Sequence, residues 1–370
     1  MVLYIAIYAV LFFLALLDLN PRNKPISKVF FVTIGLGFIL MSGLRWRTGA
    51  DWTPYMGFFK GYRTDIPIYQ ILFEPGYTAL TAFIKMFSSS YTTFLILFAL
   101  LTIGLKLIFF QKYTNALLLA LLLYWGNNMA EIASVRQALA ISICLISIPS
   151  IYKRKKIASI CFVLLAMQIH ISSFIFLFAY PIFHAKWSTR WQYILIGLSI
   201  IIGLSGMLNS VLSFVGDLSF LGRLSEKADA YQRGGDKNVG GTAPLFDKLI
   251  GIAKRMIVLP LLIYHHSRVW KNRREYTGML NLFIFGNMIY FIVIDFIVIQ
   301  RMAAYFYPLE IVLMCMLFDR SKSKPVFYVI FATYALLKLL LIVYGAAGFI
   351  VPYYHIFMDN FPRGKDISNF

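Results

Sequence analysis

The sequence predicts an all-α polytopic membrane protein, from three observations. Of its 370 residues 60% are hydrophobic and 14% charged, with a mean hydropathy of +0.73, too few charges to clothe a soluble domain of this size. Several apolar runs approach the roughly 20 residues that cross about 30 Å of hydrocarbon. The net charge of +19, from 35 basic and 16 acidic residues, sits largely in short loops between those runs. There it orients helices and meets anionic lipid, so nucleic acid is not implied as a partner. Cys144, Cys161 and Cys315 lie inside apolar runs with no metal-site or Cys-x-x-Cys spacing, and read as small buried hydrophobes. About eleven membrane elements are expected in one domain, residues 1–370, with no soluble catalytic domain and no internal repeat.

Taken in order, residues 2–17 form the first apolar run. It lacks a basic n-region and a small-residue cleavage site, and reads as a retained helix. Arg22, Lys24 and Lys28 mark a cytoplasmic loop, so residues 28–44 run outward and deliver residues 45–51 to the extracytoplasmic surface. Residues 69–87 carry Glu74, Pro75 and Gly76 near their start and leave a short apolar remainder, as in a re-entrant or interfacial helix. Residues 91–110 run inward to Lys112, and residues 116–125 run outward to a polar kink at Gly126, Asn127 and Asn128. Residues 130–152 return to Lys153, Arg154, Lys155 and Lys156, the clearest cytoplasmic mark in the chain. This places Arg136 one to two turns below the outer end of its helix, with Glu131 above it.

Residues 157–183 carry His170, Ser172 and Ser173 in their middle. A single crossing there would put the basic loop of Arg268, Lys271, Arg273 and Arg274 outside, so a broken or hairpin arrangement bent near His170 is expected. Lys186 and Arg190 then lie inside and residues 191–214 run outward. The glycine-rich polar loop at about residues 215–245 is long enough to be a lid or a substrate-contacting loop. Residues 246–265 return inward, 276–294 run outward, 302–318 run inward to Arg320, Lys322 and Lys324, and 326–344 run outward again.

The richest stretch for function is residues 43–77, where Arg45, Arg47, Asp51 and Glu74 stand among Trp46, Trp52, Tyr55, Tyr69 and Tyr77. Guanidiniums grip phosphate oxygens through a planar fork of donors, and aromatic faces pack against sugars and lipid head regions, so an anionic, amphiphilic substrate fits. Arg and Trp also serve as ordinary interfacial anchors, and both readings stand at this point. Ionisable groups within spans are costly, and Arg136, Lys254, Arg255, Asp295 and Arg301 are assigned to the outer half. Together with Arg45 and Arg47 they leave an excess of cations that invites an anion such as a diphosphate. Structural pairing of Arg301 with Asp295 or Glu310, and of Arg136 with Glu131, is the alternative. His170 is either a hydrogen-bonded packing residue or a general base. The arginines beside Asp51 favour its ionised form, which leaves Glu74 and His170 as the better base candidates.

RTGADWTPY resembles the R-x-G-x-D-x-x-x-Y signature of the EpsG-like, Wzy-type bacterial polysaccharide polymerases, and FEPGY resembles their E-P-G-[YF] motif. SVRQALA, with Arg136, and QIHISS, with His170, are similar to that family's next two motifs in the same order. Gly-Ala-Asp stands here where Gly-Thr-Asp is common, which keeps the turn and Asp51. Beyond Arg301 and Tyr305 in QRMAAYF, the carboxy-terminal third is family-like only in hydropathy.

The resemblance implies a GT-C-like glycosyltransferase at the extracytoplasmic face of the bacterial cytoplasmic (inner) membrane. Such an enzyme moves a growing O-antigen or exopolysaccharide glycan from undecaprenyl diphosphate onto another lipid-linked repeat unit. Its partners are the lipid-linked donor and acceptor, the bilayer, and a chain-length regulator of the polysaccharide co-polymerase type. On this reading Arg45, Arg47, Arg136 and Arg301 hold the diphosphate, while Glu74 or His170 accepts the proton of the attacking hydroxyl. Asp51 positions one of these groups, and Trp52, Tyr55, Tyr77 and Tyr305 contact sugar or lipid. No cofactor is implied, and with no Asp-x-Asp motif in the outer loops the arginines stand where a divalent ion would. The rival classes are a membrane sugar O-acyltransferase, in which His170 would outweigh Arg136, and a lipid-linked oligosaccharide flippase, in which charges would line a cavity through both halves. A ligase that transfers finished polymer shares the same donor.

Overall fold

The computed structural model describes residues 1–49, 52–62, 73–208, 244–267, 273–345 and 350–358. Asp51, Tyr69, Arg268, Lys271 and the glycine-rich outer loop lie outside the described residues. Among the described residues the chain is helical, with one isolated bridge between Arg45 and His355. Val2–Leu19, Pro21–Gly43, Tyr91–Tyr113 and Lys324–Gly345 are each long and apolar enough to cross a membrane. The protein is an all-α membrane protein.

Two compact units result, one of Met1–Ser150, Ile157–Phe174 and Met314–Phe370, the other of Ile151–Lys156 and Ile175–Leu313. The first is built from α1 (Val2–Ala15), α2 (Lys24–Gly43), α3 (Trp52–Gly61), α4 (Pro75–Lys85), α5 (Tyr91–Tyr113) and α6 (Leu117–Asn128). It continues through α7 (Arg136–Tyr152) up to Ser150 and α8 (Lys156–Met167) from Ile157. The second holds α9 (Ala179–His184), α10 (Thr189–Leu204), α11 (Leu245–Met256), α12 (Leu259–His265) and α13 (Arg274–Ile292). Near the carboxy terminus, α14 (Pro308–Arg320) leads into α15 (Lys324–Gly345), which belongs to the first unit.

In the first unit α6 is the core. It reads LLLALLLYW, apolar on every side, and a helix of that kind must be surrounded. Leu118, Leu121, Leu122 and Trp125 are fully buried, with α1, α2 and α15 packed around them. Where side chains carry donors they are spent on neighbouring backbone, Trp125 Nε1 on the carbonyl of Tyr4 at 3.0 Å and Tyr8 Oη on that of Ala332 at 2.7 Å. The amino-terminal amides of α6 point at Asp18, whose Oδ2 accepts from Leu118 N at 2.8 Å and Leu119 N at 2.9 Å. A carboxylate there supplies acceptors that a buried helix start otherwise lacks. Asp18→Ala should therefore destabilise the protein by about 1–3 kcal/mol, read as a lowered midpoint in detergent thermal unfolding, with Asp18→Asn intermediate. Equal midpoints for all three proteins would contradict this.

Several elements differ from expectation. Arg136 is the first residue of α7, following a 3₁₀ turn over Met129–Ala133, and so sits at the helix mouth instead of one to two turns within it. The run 246–265 is two helices, because Pro260 at the start of α12 has no N–H to continue α11. The break near His170 is present. α8 stops at Met167 and the chain resumes as 3₁₀ helix over Ile171–Phe178. α4, with 11 residues, is too short to span the hydrocarbon.

In the second unit α10 packs along α13, and Phe306 stacks on Phe176 at 5.2 Å with Phe285 edge-on at 5.4 Å. Two of the basic residues embedded in α11, Lys248 and Arg255, have partners there. Lys248 Nζ pairs with Asp295 at 2.6 Å. Arg255 donates to the Tyr307 hydroxyl at 2.9 Å and lies 3.2 Å above the centre of the Tyr290 ring, an arrangement that keeps a half-buried guanidinium solvated by protein.

Candidate functional site

The site forms in the first unit around Arg136. Its guanidinium makes an ion pair with Glu74 through Nη1 and Oε2, and Nε donates to the Tyr55 hydroxyl at 3.0 Å. Three rings wrap the same group, with Phe73 at 4.5 Å, Tyr55 at 5.2 Å and Tyr77 at 5.6 Å from Cζ to ring centre. Cation and ring attract most strongly where water is thinned out, yet both charged side chains keep a face open, 19% exposed for Arg136 and 15% for Glu74.

Glu74 is the joint of the site. It precedes Pro75 at the start of α4, where proline needs no amide partner. Its Oε1 accepts the amide of Ile171 at 3.1 Å, and that amide follows His170 directly. A second link runs from Tyr77 N to the carbonyl of Gln168 at 3.0 Å. Gly76 permits it, since a Cβ there would lie 2.9 Å from that same carbonyl oxygen. The start of α4 is thereby docked on the break after α8. His170 Nδ1 lies 2.8 Å from Ser172 Oγ and accepts the Ser172 amide at 3.3 Å. An Nδ1 lone pair used in this way puts the ring proton of a neutral imidazole on Nε2.

Arg45 is placed differently from the open cation expected of it. It is 2% exposed, and its Nη1 donates to the carbonyls of Ser42 and, at 2.9 Å, Ile132, and to Ser42 Oγ at 3.0 Å. The cavity beside it, shared with Glu131, holds about 10 Å³, far too little for a diphosphate. The carboxy-terminal segment closes over this turn, with Trp46 N on the Tyr354 carbonyl at 2.9 Å and Ile356 N on the Leu44 carbonyl at 3.1 Å. Arg47 follows with φ 43°, a left-handed backbone that is uncommon for a residue bearing a Cβ, and is half-buried. Gly49, with φ 102°, lies where a Cβ would press on the Ala133 carbonyl oxygen at 2.8 Å, so the Arg-Thr-Gly turn is fitted to the Met129–Ala133 segment.

The remaining expected residues divide clearly. Trp52, Tyr55 and Tyr77 are buried; Tyr55 and Tyr77 stand against Arg136, while Trp52 is edge-on to Trp46 at 4.9 Å and to Tyr91 at 5.4 Å. Burial pushes the Tyr77 phenol far above its ordinary pKa, so it remains a neutral hydroxyl. Arg301, exposed, and Tyr305, fully buried, belong to the second unit. Asp51 lies outside the described residues. Arg136 pairs with Glu74, and Glu131 takes Lys106 instead, whose Nζ lies 2.8 Å from Oε2.

Lys106 was not among the expected site residues. It is fully buried in α5, and besides Glu131 it reaches the Ala138 carbonyl at 3.3 Å. Glu131 also receives Asn128 Nδ2 at 3.1 Å. The pair pins the 3₁₀ turn that carries Ile132 and Ala133 and leads into Arg136. A lysine alone in a long apolar run is the signal that could have found it.

Among proteins of described role, the chain is 23% identical over 239 residues to the amylovoran biosynthesis protein AmsC of Erwinia amylovora. That match covers 61% of this chain and 62% of AmsC. No solved structure matches. A model of the EpsG family matches residues 28–355, a span that takes in the arginine turn, Glu74, Arg136, His170 and the closing segment at His355, and the chain belongs to the EpsG family.

Proposed function

We propose that the protein is a membrane glycosyltransferase that polymerises undecaprenyl-diphosphate-linked oligosaccharide repeat units at the extracytoplasmic face of the bacterial cytoplasmic membrane. A GT-C-like arrangement of about eleven membrane elements belongs to the same proposal. The observation that carries it is the convergence of Arg136, Glu74, Tyr55 and the His170 turn on one partly open, aromatic-walled cluster. Membership of the EpsG family and similarity to an amylovoran biosynthesis protein support a polysaccharide product.

In this reaction the acceptor hydroxyl oxygen attacks the anomeric carbon of the donor, the bond from that carbon to phosphate breaks, and undecaprenyl diphosphate leaves. Charge then accumulates on the departing phosphate oxygens, and fixed donors aimed there lower the barrier. Arg136 is held in position by Tyr55 and three rings, and a diphosphate would draw its fork away from Glu74. The carboxylate so released takes the proton of the attacking hydroxyl. His170, with its proton on Nε2, donates a hydrogen bond to the leaving group and keeps that proton. Arg47 is a further diphosphate contact in this proposal, whereas Arg45 acts by holding the turn that presents Arg47.

Purified protein in detergent, given a synthetic undecaprenyl-diphosphate-linked repeat unit of the native structure, should yield a product ladder that persists in EDTA. Glu74→Gln should abolish the ladder while leaving donor binding intact. A native repeat unit that is never extended would overturn the proposal and favour acyl transfer or flipping.

A further inference from the structure

The second unit contains a cavity of about 630 Å³ that has no part in the site around Arg136. Arg154, Lys186, Arg190 and Arg274 line it, and among the described residues no carboxylate does. Phe183 and Trp187 add apolar surface to its lining. The start of α10 also reaches the cavity, through Ser188 and Thr189, and adds the positive end of a 16-residue helix. Arg274 Nη2 leans on His184 Nδ1 at 3.4 Å, and its guanidinium stands 5.8 Å from the Tyr152 ring centre, which holds one cation at the rim.

The second observation is His266, which forms part of the wall and is 5% exposed. Thr277 Oγ1 gives its proton to the Arg273 carbonyl at 3.0 Å, so at 2.9 Å it accepts from His266 Nε2. That leaves Nδ1 as a bare acceptor, and it is buried without a hydrogen-bond partner. Burial lowers the pKa of His266, which keeps it in this neutral form. A buried imidazole acceptor with nothing to accept from is costly unless a donor arrives. The cations call for an anion and the imidazole for a hydroxyl.

We propose that this cavity binds a hydroxylated phosphate ester, with the phosphate between Arg154, Arg190, Arg274 and the start of α10 and a hydroxyl on His266 Nδ1. The four cations lie in basic loops or at the helix starts beside them, segments that the positive-inside tendency assigns to the cytoplasm, where anionic phospholipid is at hand. A phosphoglycerol headgroup and a soluble phosphate ester share the required chemistry, and the volume admits either.

Native mass spectrometry of the detergent-solubilised full chain, titrated separately with phosphatidylglycerol, phosphatidylcholine and glycerol 3-phosphate, separates the sources. The wild type should hold phosphatidylglycerol, glycerol 3-phosphate or both at least tenfold more tightly than phosphatidylcholine. Retention of the lipid identifies a headgroup site, and retention of glycerol 3-phosphate alone identifies a soluble ligand. The triple variant Arg154→Gln, Arg190→Gln, Arg274→Gln should lose at least tenfold in affinity, while Lys322→Gln, on another basic loop, should not. His266→Phe, which keeps the ring stacked near Tyr276, should lose affinity while its thermal midpoint is unchanged, and serves if the triple variant fails to fold. No preference over phosphatidylcholine, or equal binding by wild type and variants, would overturn the proposal.

Discussion

Arg136→Ala should lower the rate of glycan polymerisation by about 10²- to 10³-fold, the usual cost of removing one preorganised donor to developing charge. The loss should fall on kcat, because the proposed contact tightens as the phosphate departs. Arg136→Lys keeps the charge but not the planar fork, and cannot hold Tyr55 through one nitrogen while presenting a planar pair of donors to a phosphate. It should recover only a minor part of the activity. Tyr55→Phe removes a single bond to Nε and leaves the ring in place, so a reduction of about tenfold or less is expected. Initial rates from the ladder assay rank the three variants, and a ranking with Tyr55→Phe worst would show that Arg136 serves only as packing.

The second large effect concerns stability. Lys106 is wholly buried and its partner Glu131 is 14% exposed; removing one member of a buried pair strands the other, at up to about 3–5 kcal/mol. Lys106→Met should therefore lower the thermal midpoint in detergent more than any other single change discussed above. Lys106→Met combined with Glu131→Gln should recover most of the loss, since the amide still accepts from Asn128 and carries no charge. Failure of the double variant to recover would mean that the cost lies in the packing of α5 and not in the charge.

The contrast between these residues explains what was legible in the sequence. Glu74, Arg136 and His170 could be picked out because ionisable groups beside or within apolar runs are expensive to keep, and the structure gathers them. The partner of Arg136 was not legible. Glu131 is close in sequence, but the 3₁₀ turn over Met129–Ala133 directs it to Lys106, and Glu74 arrives from a distant helix. The burial of Arg45 was equally hidden, since its acceptors at Ser42 and Ile132 include backbone carbonyls, which carry no residue signature. Lys106 was hidden because the strongly apolar α5 absorbs one lysine without losing its character as a span. The helix order was legible where length decided it, in α1, α2, α5 and α15. It was less so at Pro260, where a continuous apolar run conceals a missing amide.

The Lys106–Glu131 pair also bears on how the chain enters the bilayer. Synthesis produces α5 with its ammonium well before the carboxylate that neutralises it, and an uncompensated lysine near the centre of a span opposes release into lipid by about 2.5–3.5 kcal/mol on insertion scales. The remaining apolar residues of α5 outweigh that penalty, yet the helix gains its full stability only once α6 and the turn after it have emerged. Membrane integration of this region is thus coupled across two successive segments. A chain truncated before Glu131 would leave the Lys106 ammonium without its carboxylate.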